Sequence, residues 1–481
     1  MSMQSQVKES RTLPVKYPNL LAWENVKQER WEGELEVDGH IPHWLNGTYL
    51  RNGPGVFDIG DYKSKSLLDG YATLVRLHFE NGRLTAGHAQ LQSDAYKAAK
   101  KNNNIYHREF STLPKPSNIF KAIGNMLGIF FGALVTDNAL VSVIRLGDGR
   151  VLCITETKKG SLQIDPNTLE TIDKFKYTDN LRGPTQSGHP IVSDKELITV
   201  LPDLINCGYN VIRMLAGTNE RILIGKVKCR SGPMPGWVHS FAVTDNYVVI
   251  PEMPMKYALD SMLNGDLLKW YPDSKAFMHI ICKETGETVA SVEVPPFMTF
   301  HFINAYEEKG MNSVIVDCCE YNASPTIFDK LILHELRSFR GKDVLPDSRI
   351  GCFTIPLDGS PRGKLETAMS PEEHGRAIDM CTINSKYRGK MYRYAYGCRA
   401  QRPCNYINSL TKIDLKEKTE KSCWHLGGSI PSEPIFIGRP GAEAEDDGVV
   451  ISLVSDKDGD GFALILDGST FTEIARAKLP Y

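Results

Sequence analysis

The chain has no long apolar run, no basic cluster and no repeating period. Its most apolar stretch, residues 126–135 (MLGIFFGALV), is about half the roughly 20 residues that a membrane-spanning helix needs, so no segment is expected to span a bilayer. Lys and Arg number 56 against 58 acidic residues, a net charge of -2, and they form no run. Nothing in the charge therefore calls for a nucleic-acid partner. No CxxC pair is present. The 11 cysteines are scattered from Cys153 to Cys423, and the adjacent Cys318 and Cys319 fit neither a zinc site nor a disulfide framework. Reduced, partly buried thiols are expected, as in a reducing compartment. The segment MSMQSQVKESRTLP lacks the apolar core of a secretory signal and is short for a transit peptide. No Pro-, Ser- or Gly-rich linker divides the chain, and no WD40 or kelch signature recurs.

What is present is a long series of short strand signals separated by Gly, Pro, Asn and Asp. Residues 75–91 (VRLHFENGRLTAGHAQL) read as a hairpin around Asn81–Gly82. GRVLCITETKKGSLQIDPNTLETI and VVISLVSDKDGDGFALILDG read the same way. Helical patterns are few, the best being residues 118–131 and 257–264. Many short strands without long helices give an all-β class, with propeller, barrel and stacked sandwich all open. Residues 31–481 are read as one large domain behind an N-terminal extension, residues 1–30, expected to be flexible.

Three of the 12 histidines lie in distinctive contexts: His189 in GPTQSGHPIV, His239 in GWVHSFAVTDNYVVIPEMP and His301 in FMTFHFINAYEE. An isolated histidine is more often a core or surface residue than a ligand, and these are too widely spaced to form a recognisable zinc motif. Spacing alone proposes no metal. In these contexts, however, the sequence resembles the iron-ligand segments of the carotenoid cleavage oxygenases, in the same order. LNGTYLRNGPG (45–55), the stretch from VTDNALVSVIRLGDGR to PNTLET and PSEPIFIGRPGAEAEDDGVVISLV also resemble that family, from about residue 30 to residue 481. IDMCTINSKYRGKMYRYAYGCRAQRPCNYINSLTKIDL and GFALILDGSTFTEIARAKLPY are similar to its plant branch that makes carlactone.

The resemblance implies a seven-bladed β-propeller, with a few helices on the face covering the iron site, and four histidines converging on Fe(II). His189, His239 and His301 are 50 and 62 residues apart, about one blade per step. Neutral imidazoles suit ferrous iron and leave positions open for oxygen. In the family, carboxylates behind the ligands accept the other ring N–H and hold each ring, and Glu156 and Glu433 match two of them. The third should be a glutamate just before CTIN, where this sequence has Asp379. It is one methylene shorter, so contact through a bridging water is expected. A fourth histidine, in a GFHG-like motif, would follow FTEIARAKLPY within a few residues. His425, in CWHLGG, precedes PSEP and is no substitute. With three ligands, weaker iron binding and an imperfectly closed last blade are expected.

By the same resemblance, iron activates oxygen beside a polyene double bond and aldehyde fragments result. The substrate implied by the branch is a 9-cis-configured apo-10′-carotenal and the product carlactone, the strigolactone precursor, made in plastids. Residues 118–131 place Ile119, Phe120, Ile123, Leu127 and Phe130 largely on one helical face, suited either to peripheral membrane contact at a substrate entrance or to a core helix. Rival readings are an apocarotenoid-binding propeller without catalysis, a purely structural propeller, and a dioxygenase of different cleavage position. Residues 456–467 (DKDGDGFALILD) match much of an EF-hand loop, but strand patterns flank it and Asp467 takes the place of the glutamate, so a hairpin turn is expected. The run EAEDD (443–447) reads as a solvated loop.

Overall fold

The computed structural model describes residues 20–112, 136–181, 183, 185–258, 267–338, 341 and 345–480. The predicted hairpin forms as Tyr71–Glu80 and Arg83–Gln90. Asn81 and Gly82 both take positive φ, 50° and 83°, the turn geometry that matches the twist of the flanking strands. Such hairpins repeat around the chain into seven sheets of four or more strands, a seven-bladed propeller. Their innermost strands are, in chain order, Gly47–Val56, Ser142–Arg145, Ile191–Val192, Ala242–Val243, Thr299–Glu308, Asp379–Thr382 and the pair Ile430–Pro431 and Ile435–Gly438.

The core lies between blades. Leu74 and Ala89 of the first blade meet Val151 and Leu162 of the second, and Val200 and Val211 of the third meet Val248 and Ile250 of the fourth. A strand inside a blade is thus covered on both faces: every residue of Ser313–Glu320 is buried, whereas the outer Thr419–His425 alternates with solvent. Such doubly covered strands lose the alternating pattern of a one-sided sheet.

The ring is closed by both ends of the chain. Arg30–Glu34 is the outer strand of the first blade. Val37–Gly39 pairs with Glu473–Leu479 of the seventh, Val37 opposite Ala477. The seventh blade is therefore fully paired, against the expectation of imperfect closure, because the N-terminal strand supplies its outer edge. The predicted flexible extension is also packed from residue 20: Leu20–Trp23 forms a 3-10 turn, Trp23 is buried, and the Val26 amide donates to the Gly55 carbonyl.

Of the two predicted helices, residues 118–131 lie outside the described residues, as do residues 259–264 of the second, whose first residue, Tyr257, belongs to the strand Met255–Tyr257. The longest described helix, Asp94–Asn102, was not expected, although Ser93 caps it through the Tyr96 amide and Lys100 and Lys101 end it. Residues 456–460 form a hairpin turn as expected: the Asp456 carboxylate accepts from the amides of Asp458 and Asp460 within the loop. EAEDD is more than a solvated loop. Glu445 accepts from the Arg393 and Tyr394 amides, and Asp446 pairs with the buried Lys412 at 2.6 Å, tying the sixth blade to the seventh.

Candidate metal centre

His189, His239 and His301 stand at or just before the innermost strands of three consecutive blades, and the ring brings them together on the axis. One nitrogen from each lies within 4.8 Å of the other two, and they are the only such cluster among the described residues. Nε2 of His189 and His239 are 3.1 Å apart. Two nitrogens each about 2.1 Å from one ion, at right angles, would be about 3 Å apart, so the donor set fits a single metal ion.

Backbone irregularity aims these side chains. Around His301 the ladder shifts register twice, between Thr299 and Phe302 and between Phe302 and Asn304. Such bulges bend a strand and redirect its side chains. Neighbouring inner edges are stitched together: the Ser142 hydroxyl donates to the Gly188 carbonyl, the Ser187 hydroxyl and Gly188 amide to the His239 carbonyl, and the Ser240 hydroxyl to the Phe300 carbonyl. Gly188 is needed there, because a Cβ would meet Val141 Cγ1 at 2.9 Å.

The outward ring nitrogens of His239 and His301 are held by carboxylates from other blades. Glu156, in the second blade, lies 2.5 Å from Nδ1 of His239, and the Trp237 indole donates to its other oxygen at 2.7 Å. Asp379, in the sixth blade, lies 2.7 Å from Nδ1 of His301 and accepts the Tyr321 hydroxyl at 2.5 Å. The expected bridging water is not needed. Asp379 sits at a bulge, where Met380 and Cys381 together face Gly397 across the ladder, and Met380 takes φ 51°; the displaced backbone makes up for the missing methylene. Glu433 touches none of the three histidines. It lies between the two segments of the seventh blade's inner strand, 3.8 Å from Arg51, near enough for its charge to act on His301. His425 is exposed on an outer strand, bonded to the Asn408 carbonyl, as its exclusion predicted.

Burial, with repulsion among the rings, pushes His189 and His239 well below the ordinary imidazole pKa. Both are neutral, as a ligand must be. Burial acts on His301 in the same sense, but the Asp379 carboxylate outweighs it and leaves that pKa raised. Burial raises Glu156 to about 8 against the opposing Trp237 hydrogen bond. The two supporting acids thus differ, Asp379 being ionised through its bonds to His301 and Tyr321.

A cavity of about 250 Å³ opens beside the histidines. Its walls are mainly apolar, with Leu67, Leu331, Trp237 and Phe300 among them, and Ile327–Lys330 covers part of it. Phe300 meets His239 edge-on at 5.4 Å. Trp237, Tyr321 and this lining escaped the sequence reading; only Trp237, two residues before His239, carried a local signal.

The family described as "Retinal pigment epithelial membrane protein" matches residues 23–481. The chain is 58% identical over 471 residues to a rice protein, carotenoid cleavage dioxygenase 8 homolog B, chloroplastic, covering 96% of this chain and 83% of that one. It is 58% identical over 477 residues to the Arabidopsis thaliana protein carotenoid cleavage dioxygenase 8, chloroplastic, covering 96% and 84%. It is also 31% identical over 512 residues to the mouse beta,beta-carotene 15,15'-dioxygenase, covering 95% and 88%. Among solved structures, the cobalt-substituted apocarotenoid oxygenase of Synechocystis superposes with a TM-score of 0.80 at 22% identity, over 96% of this chain and 95% of that one; the likeness is one of fold.

Proposed function

The chain belongs to the carotenoid oxygenase family, and on that premise we propose that it is a carotenoid cleavage dioxygenase that holds Fe(II) on His189, His239 and His301. The observation that carries this is the convergence of three imidazole nitrogens at the wall of an apolar cavity. Its identity to the plant relatives supports a 9-cis-configured apo-10′-carotenal as substrate, carlactone as product, and a role in strigolactone synthesis. Their chloroplast naming supports a plastid location.

Ferrous iron bound there supplies the activation of dioxygen beside a polyene double bond, which no side chain offers. The chain's own residues do the rest. Glu156 and Asp379 orient His239 and His301 through Nδ1, so each presents its other nitrogen to the ion. Trp237 and Phe300 pack against His239 and turn apolar rings to the cavity beside the histidines. The mainly apolar wall packs against the polyene, and no acid or hydroxyl need act as a nucleophile. Ile119, Phe120, Ile123, Leu127 and Phe130, outside the described residues, are assigned to peripheral contact with the lipid from which the polyene is drawn. No described helix is long and apolar enough to cross a membrane.

The test is anaerobic loading with Fe(II), addition of the apocarotenal in detergent, and admission of oxygen. Aldehyde fragments are expected from the unaltered chain and none from H239A, which should also lose bound iron. An iron-loaded chain that binds the polyene without cleaving it would replace this reading with that of a binding propeller.

A further inference from the structure

Two buried polar atoms in the cavity wall have no hydrogen-bond partner among the described residues: Glu109 Oε1 and the Tyr257 hydroxyl. Tyr257 lies near Glu156, at the histidine end. Glu109, 2% exposed, lies elsewhere in the wall, where the Thr136 and Asn138 side chains approach its carboxyl, with Asp69 and Asp137 nearby, but none closes a hydrogen bond on Oε1. Its open oxygen is unusual for this protein. Asp69, fully buried, accepts from the Ser66 and Ser111 amides and the Thr112 hydroxyl. Glu252, also fully buried, accepts from the Arg230 and Ser231 amides and pairs with His279. Glu109 Oε1 is the one carboxylate oxygen among the described residues that is buried without a partner. Leaving such an atom bare in an apolar wall is costly.

A polyene brings little polarity of its own. A hydrocarbon chain in an apolar channel can slide, and dispersion contacts distinguish poorly between one double bond and the next. One polar handle at a fixed place in the wall sets that register. We propose that Glu109 anchors the terminal aldehyde oxygen of an apocarotenal, and so determines which double bond lies at the three histidines. This rests on the reading of the chain as an apocarotenoid oxygenase. The chemistry agrees: an aldehyde oxygen only accepts, and a carboxylic acid is a donor. Burial, reinforced by the charges of Asp69 and Asp137, outweighs the opposing Thr136 and Asn138 side chains and raises the Glu109 pKa well above the ordinary carboxylate value, so the group is the neutral acid. A hydrocarbon terminus in the same place would leave Oε1 unpaired, so the residue selects as well as positions.

The full chain, loaded anaerobically with Fe(II), is titrated by tryptophan fluorescence with the apocarotenal and with the same polyene carrying a methyl group in place of the aldehyde. The unaltered protein should prefer the aldehyde by about tenfold to a hundredfold. E109L should bring that ratio near unity without weakening hydrocarbon binding, and on admission of oxygen should give products of more than one cleavage position. E109Q, whose amide still donates, should keep both the preference and the single product; Y257F should keep them too. If E109L does not fold, E109M, of similar length and without a donor, carries the same expectation. An aldehyde preference that survives E109L and E109M, or that is lost in Y257F instead, overturns the anchor. Absence of any cleavage by the unaltered chain with the aldehyde preference intact overturns the dioxygenase reading and leaves the anchor standing.

Discussion

Replacing Asp379 should weaken metal binding in two steps. The carboxylate makes three short contacts, to His301 Nδ1 at 2.7 Å, the Tyr321 hydroxyl at 2.5 Å and the Met380 amide at 2.7 Å. It is only 7% exposed. A charge-assisted hydrogen bond of this kind contributes about 1.5–3 kcal/mol. Losing a group that orients a metal ligand costs about tenfold to a hundredfold in affinity, or about 1.4–2.7 kcal/mol. The two scales agree. D379N keeps an oxygen for His301 and Met380 and offers its amide to Tyr321, so it loses charge but not contacts, and about tenfold is expected. D379A removes the acceptor, frees the His301 ring and strands the Tyr321 hydroxyl, so the loss should approach a hundredfold. Competition of Co(II) against a chelator under argon gives the affinities, and melting of the metal-free proteins shows that the fold survives. If D379A folds and binds Co(II) as tightly as the unaltered chain, the carboxylate does not orient the ligand and the reasoning fails.

Other consequences are open to measurement. Asp179 and Arg221, with side chains 6% and 1% exposed, form a two-pronged pair at 2.7 and 2.8 Å. Burial acts to raise the Asp179 pKa, but Arg221 prevails and depresses it to about 2. A depressed carboxylate stabilises the fold above its unfolded pKa and loses that contribution as pH falls. About 2 kcal/mol should therefore vanish between about pH 4 and pH 2; D179N should abolish that step in acid denaturation and cost about 3–5 kcal/mol at neutral pH by leaving Arg221 buried without a counterion. Gly39 takes φ 97°, and a Cβ there would lie 2.3 Å from the Ile474 carbonyl oxygen. G39A should therefore cost about 1–3 kcal/mol in a thermal melt by disturbing the strand that closes the ring, with little change in metal affinity. W237F should leave the fold intact but strip Glu156 of its indole donor, weakening Co(II) binding less than D379A does.

The parts of the fold that the sequence announces are those set by neighbours along the chain. Asn81–Gly82 specifies its turn because both residues tolerate positive φ. The all-β class follows from recurrent turns between short strand signals. Seven blades and an iron centre came only through resemblance to a known family. Side-chain length alone makes Asp379 too short to reach His301, whereas a bulge and a positive φ at Met380 set the distance. The closing strand Val37–Gly39 gave no sign of its partner, more than 430 positions away. Glu109 was invisible for a related reason: a missing hydrogen bond is a property of the assembled wall.

Because each histidine belongs to a blade with its own hydrogen-bonded ladder, the ladders should hold the three rings on the axis with or without an ion. In small zinc domains the metal supplies the folding free energy and its removal unfolds the chain. Here occupancy and folding should be separate equilibria. Chelation should empty the axis while amide exchange within the blades stays slow, and the same molecules should take up metal again without refolding.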